Sequence, residues 1–195
     1  MKIAVTGEIG SGKSVFMELA EAYPAFACFS ADAINAGLLS DSAYLGRLRV
    51  AFPEAFSDGV FSKATLSDMI FKDAVKRKKL NSIAHPEIAA LTLRLTAEAE
   101  ARGKIVLMEV PLLLESGIEE IFDKIVLIKA PAESRAERIT KRRGVTPVQA
   151  LARIRSQNQD TVVESFADIV IENYGSLDQF RLKALAVLDA LSRGA

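Results

Sequence analysis

Several residue types are scarce in this chain, and each scarcity excludes something. One cysteine, Cys28, in 195 residues allows no intrachain disulfide and excludes a secreted disulfide framework. The lone histidine, His85, and the lone cysteine form no cluster with zinc spacing. Neither sign of charge is in surplus, because Lys+Arg 25 are matched by Asp+Glu 25. The basic excess that marks a general nucleic-acid binder is missing. Long apolar runs are missing too. The longest, Ile105 to Leu114, is interrupted by Glu109 and Pro111 and falls far short of a membrane span. The opening apolar run is too short for a signal-peptide core. Solenoid-period repeats and low-complexity tracts are absent. The expectation is a cytoplasmic protein with no nucleic-acid or membrane partner. Hydrophobic residues make up 50% of the chain, enough for one domain with a substantial core.

What is present is an alternation of strands and helices. Short apolar strands are expected at Lys2–Thr6, Phe26–Ser30, Ile105–Val110, Lys124–Lys129 and Asp168–Ile171. Helical spacing runs from Ser14 to Tyr23, and recurs at Pro131–Arg143, Pro147–Gln159 and Leu177–Leu191. This order predicts an α/β fold with a mostly parallel five-stranded sheet and helices on both faces. Between residues 36 and 102 the pattern is helical: Ala33–Leu39, Ser42–Phe52, Lys63–Lys72 and a long stretch that starts at Pro86, a residue suited to a first helical turn. That stretch is too long for one crossover and is expected to be a helical insert. Phe52, Phe56, Phe61 and Phe71 are expected to form its core.

Residues Gly7-Glu8-Ile9-Gly10-Ser11-Gly12-Lys13-Ser14 match G-x4-G-K-[ST], the Walker A phosphate loop, at every fixed position. Glycines there let successive backbone N–H groups turn onto phosphate oxygens, and the following helix aims its positive end at the same anion. Lys13 reaches the β- and γ-phosphates of ATP, and the Ser14 hydroxyl suits Mg2+. A GTPase switch would add D-x-x-G and N-K-x-D motifs, and neither occurs. A small-molecule kinase needs instead a base for its acceptor hydroxyl and cations for the transferred phosphoryl group.

Asp32 follows the second strand. If that strand neighbours the first, Asp32 faces the phosphate loop and can take a proton from a sugar hydroxyl; equally, it suits the N-cap of the next helix. Glu109 ends the strand that begins at Ile105 and fits a Walker B-type metal acid, with Glu115 the other acid nearby; both also fit surface or helix-capping roles. Arg135, Arg138, Lys141, Arg142 and Arg143 crowd one helix before Gly144, and a lid over residues 138 to 153 is expected there. Within that helix Arg135 and Arg143 read as a solvated cationic face, and Arg138 and Arg142 as ATP contacts. The run Lys76-Arg77-Lys78-Lys79 reads as solvated surface.

Five segments together resemble dephospho-coenzyme A kinase across nearly the whole chain: Thr6 to Ser14, Ala31-Asp32, Leu80-Asn81-Ser82-Ile83-Ala84-His85-Pro86, Val110-Pro111-Leu112-Leu113-Leu114-Glu115, and Ser156-Gln157 followed by Ala167 to Gly175. The resemblance implies a nucleotide-kinase-like P-loop fold that moves the ATP γ-phosphate to the ribose 3′-hydroxyl of dephospho-coenzyme A. It implies a core over about 1–35 and 103–195, with the coenzyme-binding insert over about 36–102. Asp32 would be the base, with Lys13 and Arg142 catalytic beside it. ATP would meet Gly7, Glu8, Ile9, Gly10, Ser11, Gly12, Lys13, Ser14, Val15, Arg138, Arg142, Asn173 and Gly175. The acceptor would meet Thr6, Asp32, His85, Pro111, Leu112, Glu115 and Gln157, and Mg2+ would meet Ser14 and Glu109. A monomer or weak homo-oligomer is expected. The chain also departs from the family. Glu8 replaces the usual second glycine of the loop, so its side chain should point away or meet a cation. Ser30 stands where an Asp is common, Val163 where Lys or Arg is common, and Arg143 where Asp is frequent. The alternatives are another nucleotide or shikimate-type kinase on the same fold, or a binding module that holds ATP without transferring it.

Overall fold

The computed structural model describes residues 1–111, 113–155 and 160–194, without the side chains of residues 72, 142, 143, 160 and 161. Its strands are β1 (Lys2–Thr6), β2 (Phe26–Ser30), β3 (Phe56–Ser57), β4 (Val60–Phe61), β5 (Ile105–Glu109), β6 (Lys124–Lys129) and β7 (Ile169–Glu172). Its helices are α1 (Lys13–Glu21), α2 (Ala31–Leu38), α3 (Ser42–Ala51), α4 (Lys63–Lys72), α5 (Ala74–Glu100), α6 (Leu113–Ser116), α7 (Ala132–Arg143), α8 (Pro147–Arg155), α9 (Asp160–Glu164) and α10 (Leu177–Arg193). The chain divides into two compact units, one of Met1–Ser30 with Leu95–Ala195 and the other of Ala31–Arg94.

The first unit is built on a sheet of order β2-β5-β1-β6-β7, parallel at every pairing. All five strands were legible as apolar runs because both faces of a parallel sheet are covered. Side chains alternate between those faces. Ile3, Val5, Ile105, Leu107, Val126, Ile128 and Ile171 meet Phe16 and Met17 of α1 and Phe180, Ala184 and Leu188 of α10. The alternate set, Ala4, Val106, Met108 and Leu127, is fully buried as well. One premise fails here: β2 is not a neighbour of β1. β5 lies between them, with Leu107 level with Ile3 on one side and Cys28 on the other.

Cys28 packs against this core from β2. Burial, and secondarily the charge of Glu21, pushes its thiol up to about 11. The folded state therefore disfavours the thiolate, and this contribution to stability is present below pH 9 and is lost as pH rises from about 9 towards 11. Since only the thiolate reacts, alkylation by iodoacetamide at pH 8 is expected to run roughly a hundredfold slower than for a free thiol. A rate equal to that of a free thiol would show the site to be open.

In the second unit, Tyr44 and Leu48 of α3, Phe52, Ala55, Leu66 of α4 and Ala84 of α5 form the core. Asp41 starts α3 by accepting from the Ala43 and Tyr44 N–H groups at 2.7 and 2.9 Å, and these bonds hold its carboxyl below the usual range. Ser62 caps α4 by accepting from Thr65 N–H at 3.2 Å. Three expectations are corrected in this unit. Pro86 does not begin a helix but lies inside α5, which starts twelve residues earlier at Ala74. The lost backbone bond and ring clash cost about 3 kcal/mol. On either side of the proline, Leu80, Ile83, Ala84, Ile88 and Leu91 pack in or against the core of this unit, which favours a continuous helix despite that cost. Phe52, Phe56 and Phe61 are in or against the core, but Phe71 is 81% exposed. Finally, α2 begins at Ala31, so Asp32 lies in its first turn and not at its cap.

Candidate active site

β1 ends at Thr6, and the chain turns at Gly7 with φ of 137°. A Cβ on Gly7 would lie 2.2 Å from the Ile128 carbonyl oxygen of β6, so the loop leaves the sheet pressed against the neighbouring strand. Gly12 closes the loop with φ of 122° as the N-cap of α1, and a Cβ there would lie 2.6 Å from Asn173 Nδ2. Both positions require glycine by conformation and by space. Gly7→Ala is therefore expected to destabilise the fold by about 1–3 kcal/mol, read as an earlier urea midpoint, and to abolish ATP binding. A parent-like midpoint would contradict this.

Lys13 opens α1 and is buried. Its Nζ donates to the Gly7 carbonyl at 2.6 Å and the Glu8 carbonyl at 3.2 Å, so the ammonium sits across the start of the loop. Ser11 is wholly buried, and among the described residues its Oγ has no hydrogen-bond partner. A buried hydroxyl without a protein partner is unusual, and it suits a loop shaped around a polar ligand. Ser14 is exposed in the first turn of α1, while Val15 packs against the main core. The first N–H groups of a helix have no partner within it, and those of α1 follow directly on the Gly7–Gly12 turn.

The side chains of Asn173 and Arg138 tie the loop backbone to the rest of the first unit. Asn173, just past β7, donates its Nδ2 to the Ser11 carbonyl at 2.7 Å. Arg138 of α7 donates to the Gly10 carbonyl at 3.2 Å, the Ser11 carbonyl at 3.4 Å, and the Asn173 carbonyl and Oδ1 at 3.3 and 3.2 Å. Desolvation lowers the Arg138 pKa, yet a guanidinium remains charged at neutral pH. Gly175 leaves room for Gln179, whose side chain caps the Ser176 N–H at 3.0 Å to start α10; a Cβ at Gly175 would lie 2.0 Å from Gln179 Oε1. Ile9 packs with Ile139 of α7 and Ala150 and Ile154 of α8, joining the loop to both helices.

Glu8 meets a cation, as its position demanded. Its carboxylate pairs with Arg135 of α7, and both side chains are buried. Arg135 is thus no solvated surface residue: it is 7% exposed. Sequence reasoning missed this partner because 127 residues separate the two. The one available signal was Glu8 itself, a carboxylate in need of a counter-charge.

Glu109 ends β5 level with Val5 of β1, two residues before Gly7, and with Ser30 of β2. Thr6 is buried, Pro111 half-buried, and Glu115 exposed on α6. Asp32, exposed, and His85, half-buried, belong to the second unit. Leu112 and Gln157 lie outside the described residues, as does the side chain of Arg142, whose backbone is in the last turn of α7. Val163 is buried in α9, where a cation would have been costly.

The model of the family described as dephospho-CoA kinase matches residues 1–179. The chain belongs to the dephospho-CoA kinase family. A Corynebacterium glutamicum dephospho-CoA kinase is 37% identical over 185 residues, covering 93% of this chain and 94% of that protein. Among solved structures, a Thermus thermophilus protein superimposes with a TM-score of 0.81 at 33% identity, covering 98% of this chain and 97% of the other. A dephospho-CoA kinase from Campylobacter jejuni gives a TM-score of 0.75 at 29% identity, covering 100% and 99%. The all-parallel sheet with its Gly7–Ser14 loop is thus the P-loop kinase core of this family, an ATP-dependent phosphotransferase family.

Proposed function

We propose that this chain transfers the γ-phosphate of ATP to the ribose 3′-hydroxyl of dephospho-coenzyme A, giving coenzyme A and ADP. The observation that carries the proposal is the Gly7–Ser14 loop with its buried lysine, in a chain that the dephospho-CoA kinase family model matches over residues 1–179. ATP phosphates would take the place of the loop carbonyls as partners of Lys13, with loop N–H groups and the start of α1 as further donors. Arg138, and Arg142 one turn on, would offset charge on the phosphoryl group as it moves. Asn173 and Gly175 would border the adenine. Thr6, Pro111, Glu115, Leu112 and Gln157 would meet the acceptor.

In this proposal Asp32 takes the proton from the attacking 3′-hydroxyl. Its place in the Ala31–Arg94 unit, together with His85, supports reading that unit as the part that receives the coenzyme. The stretch over residues 138–153 would serve as the lid. Mg2+ fits the donors present, since the Ser14 hydroxyl and the Glu109 carboxylate are hard oxygen ligands. Among the described residues no group of three or more His, Cys, Asp or Glu side chains could hold a metal ion, and Mg2+ on a nucleotide needs no such cage, because phosphates and water complete its shell. When bound it neutralises phosphate charge. Family membership also supports a cytoplasmic setting; no described helix is long and apolar enough to cross a membrane.

The test is incubation of the pure protein with Mg-ATP and dephospho-coenzyme A, with coenzyme A and ADP read by chromatography. Folded protein that yields no coenzyme A sinks the proposal. Faster ADP release with shikimate or a nucleotide acceptor would replace it with a different kinase. ATP binding with no acceptor-dependent ADP would mark a binding module.

A further inference from the structure

A carboxylate inside an anion-binding loop opposes the ligand that the loop is shaped to hold. Glu8 follows the first glycine of that loop and is only 5% exposed, so water does little to screen its charge. Its main chain also belongs to the cradle. The Glu8 carbonyl accepts from Ser11 N–H at 3.1 Å and from Lys13 Nζ at 3.2 Å. Any swing of this residue therefore disturbs the lysine that faces the phosphates.

Arg135 meets both problems. Its guanidinium pairs with the Glu8 carboxylate, and its backbone lies against the loop tip, where a Cβ on Gly10 would approach Arg135 Cα within 3.2 Å. Its Nε–H is buried and has no acceptor among the described residues, and its Nη1 donates to Glu8. One turn further along α7, Arg138 binds the Gly10 and Ser11 carbonyls. One helix thus grips the loop twice, once at a side-chain carboxylate and once at backbone oxygens.

We propose that Arg135 is a positioning residue for ATP: it neutralises Glu8 and draws that side chain aside, so that nucleotide affinity depends on the Glu8–Arg135 pair and not on either residue alone. The inference rests on the reading of Gly7–Ser14 as the ATP site. Without Arg135, a buried unpaired carboxylate faces the incoming triphosphate. Without Glu8 the same arginine is simply an extra cation beside it. The two losses must therefore be strongly non-additive.

The experiment measures Mg-ATP and ADP affinity by calorimetry, with no acceptor present, for the parent, Arg135→Gln, Glu8→Gly and the double variant. Arg135→Gln is expected to weaken ATP binding by about tenfold or more, within the usual range of coupling between sites. The double variant should bind ATP within about threefold of Glu8→Gly, because Arg135 then has no carboxylate to neutralise. A structural role of Arg135 that does not pass through Glu8 would not be rescued by removing Glu8. The proposal is overturned if the double variant binds as weakly as Arg135→Gln, or if Arg135→Gln binds like the parent. Should Arg135→Gln fail to fold, Glu8→Gln decides: it keeps Arg135 and deletes only the charge, and tenfold weaker ATP binding there also overturns the idea. Because affinity is read without acceptor, failure here is distinct from failure to make coenzyme A.

Discussion

Lys13→Ala is expected to lower the rate of coenzyme A formation by about 10²–10³-fold, the loss that follows removal of one preorganised donor from a developing charge. The effect should exceed that of any surface lysine because Lys13 is buried, with its Nζ held by the Gly7 and Glu8 carbonyls at 2.6 and 3.2 Å. The side chain is already parked inside the loop, so little ordering remains when phosphates arrive. Alanine would remove both the charge and the strut between Lys13 and the loop carbonyls. Lys13→Arg should not rescue, since a planar fork cannot replace a compact ammonium in this space. Single-turnover assays at saturating ATP are the measurement. An undiminished rate in Lys13→Ala would remove the phosphate loop from the reaction.

The second large effect belongs to Asp32. Asp32→Asn is expected to cut turnover by roughly two orders of magnitude or more, the contribution of a general base, while leaving ATP affinity within about twofold. Asparagine keeps the shape but accepts no proton. Asp32 also lies in the first turn of α2, where a carboxylate favours the helix by about 0.3–1 kcal/mol, so a small drop in melting temperature should accompany the kinetic loss. The two effects separate cleanly, because stability loss of that size does not change kcat. If turnover survives, Asp32 is only a first-turn acid.

The strands were legible because each is a short, nearly continuous apolar run, and a sheet covered on both faces demands that. Strand order was not legible. Nothing in the residues of β5 says that it inserts between β1 and β2, since order is decided by crossovers of many residues. The β3–β4 hairpin was overlooked because two-residue strands carry no alternation. Yet Asp58-Gly59 sits at its turn with φ of 49° and 83°, and Asp-Gly is a strong hairpin signal that was there to be used. Pro86 misled because the rule for first-turn prolines describes local cost, while packing around α5 decided the outcome. In the site, the loop was readable from spacing alone, since backbone angles dictate its glycines. Arg138 was readable from the arginine-rich run before Gly144, whereas Asn173 came only with the family motifs. The role of Arg135 came only with the structure, for an ion pair across 127 residues leaves no periodic trace.

The sheet order has a consequence for biosynthesis. β1 is the middle strand, yet both strands that flank it, β5 and β6, come later, the nearer beginning at Ile105. About a hundred residues separate Thr6 from that point. At roughly 5–20 residues per second, a ribosome needs about 5–20 s to deliver them. For that interval Ile3, Ala4 and Val5 belong to a nascent segment with no neighbour to pair with, and chaperone occupancy should be greatest while it waits.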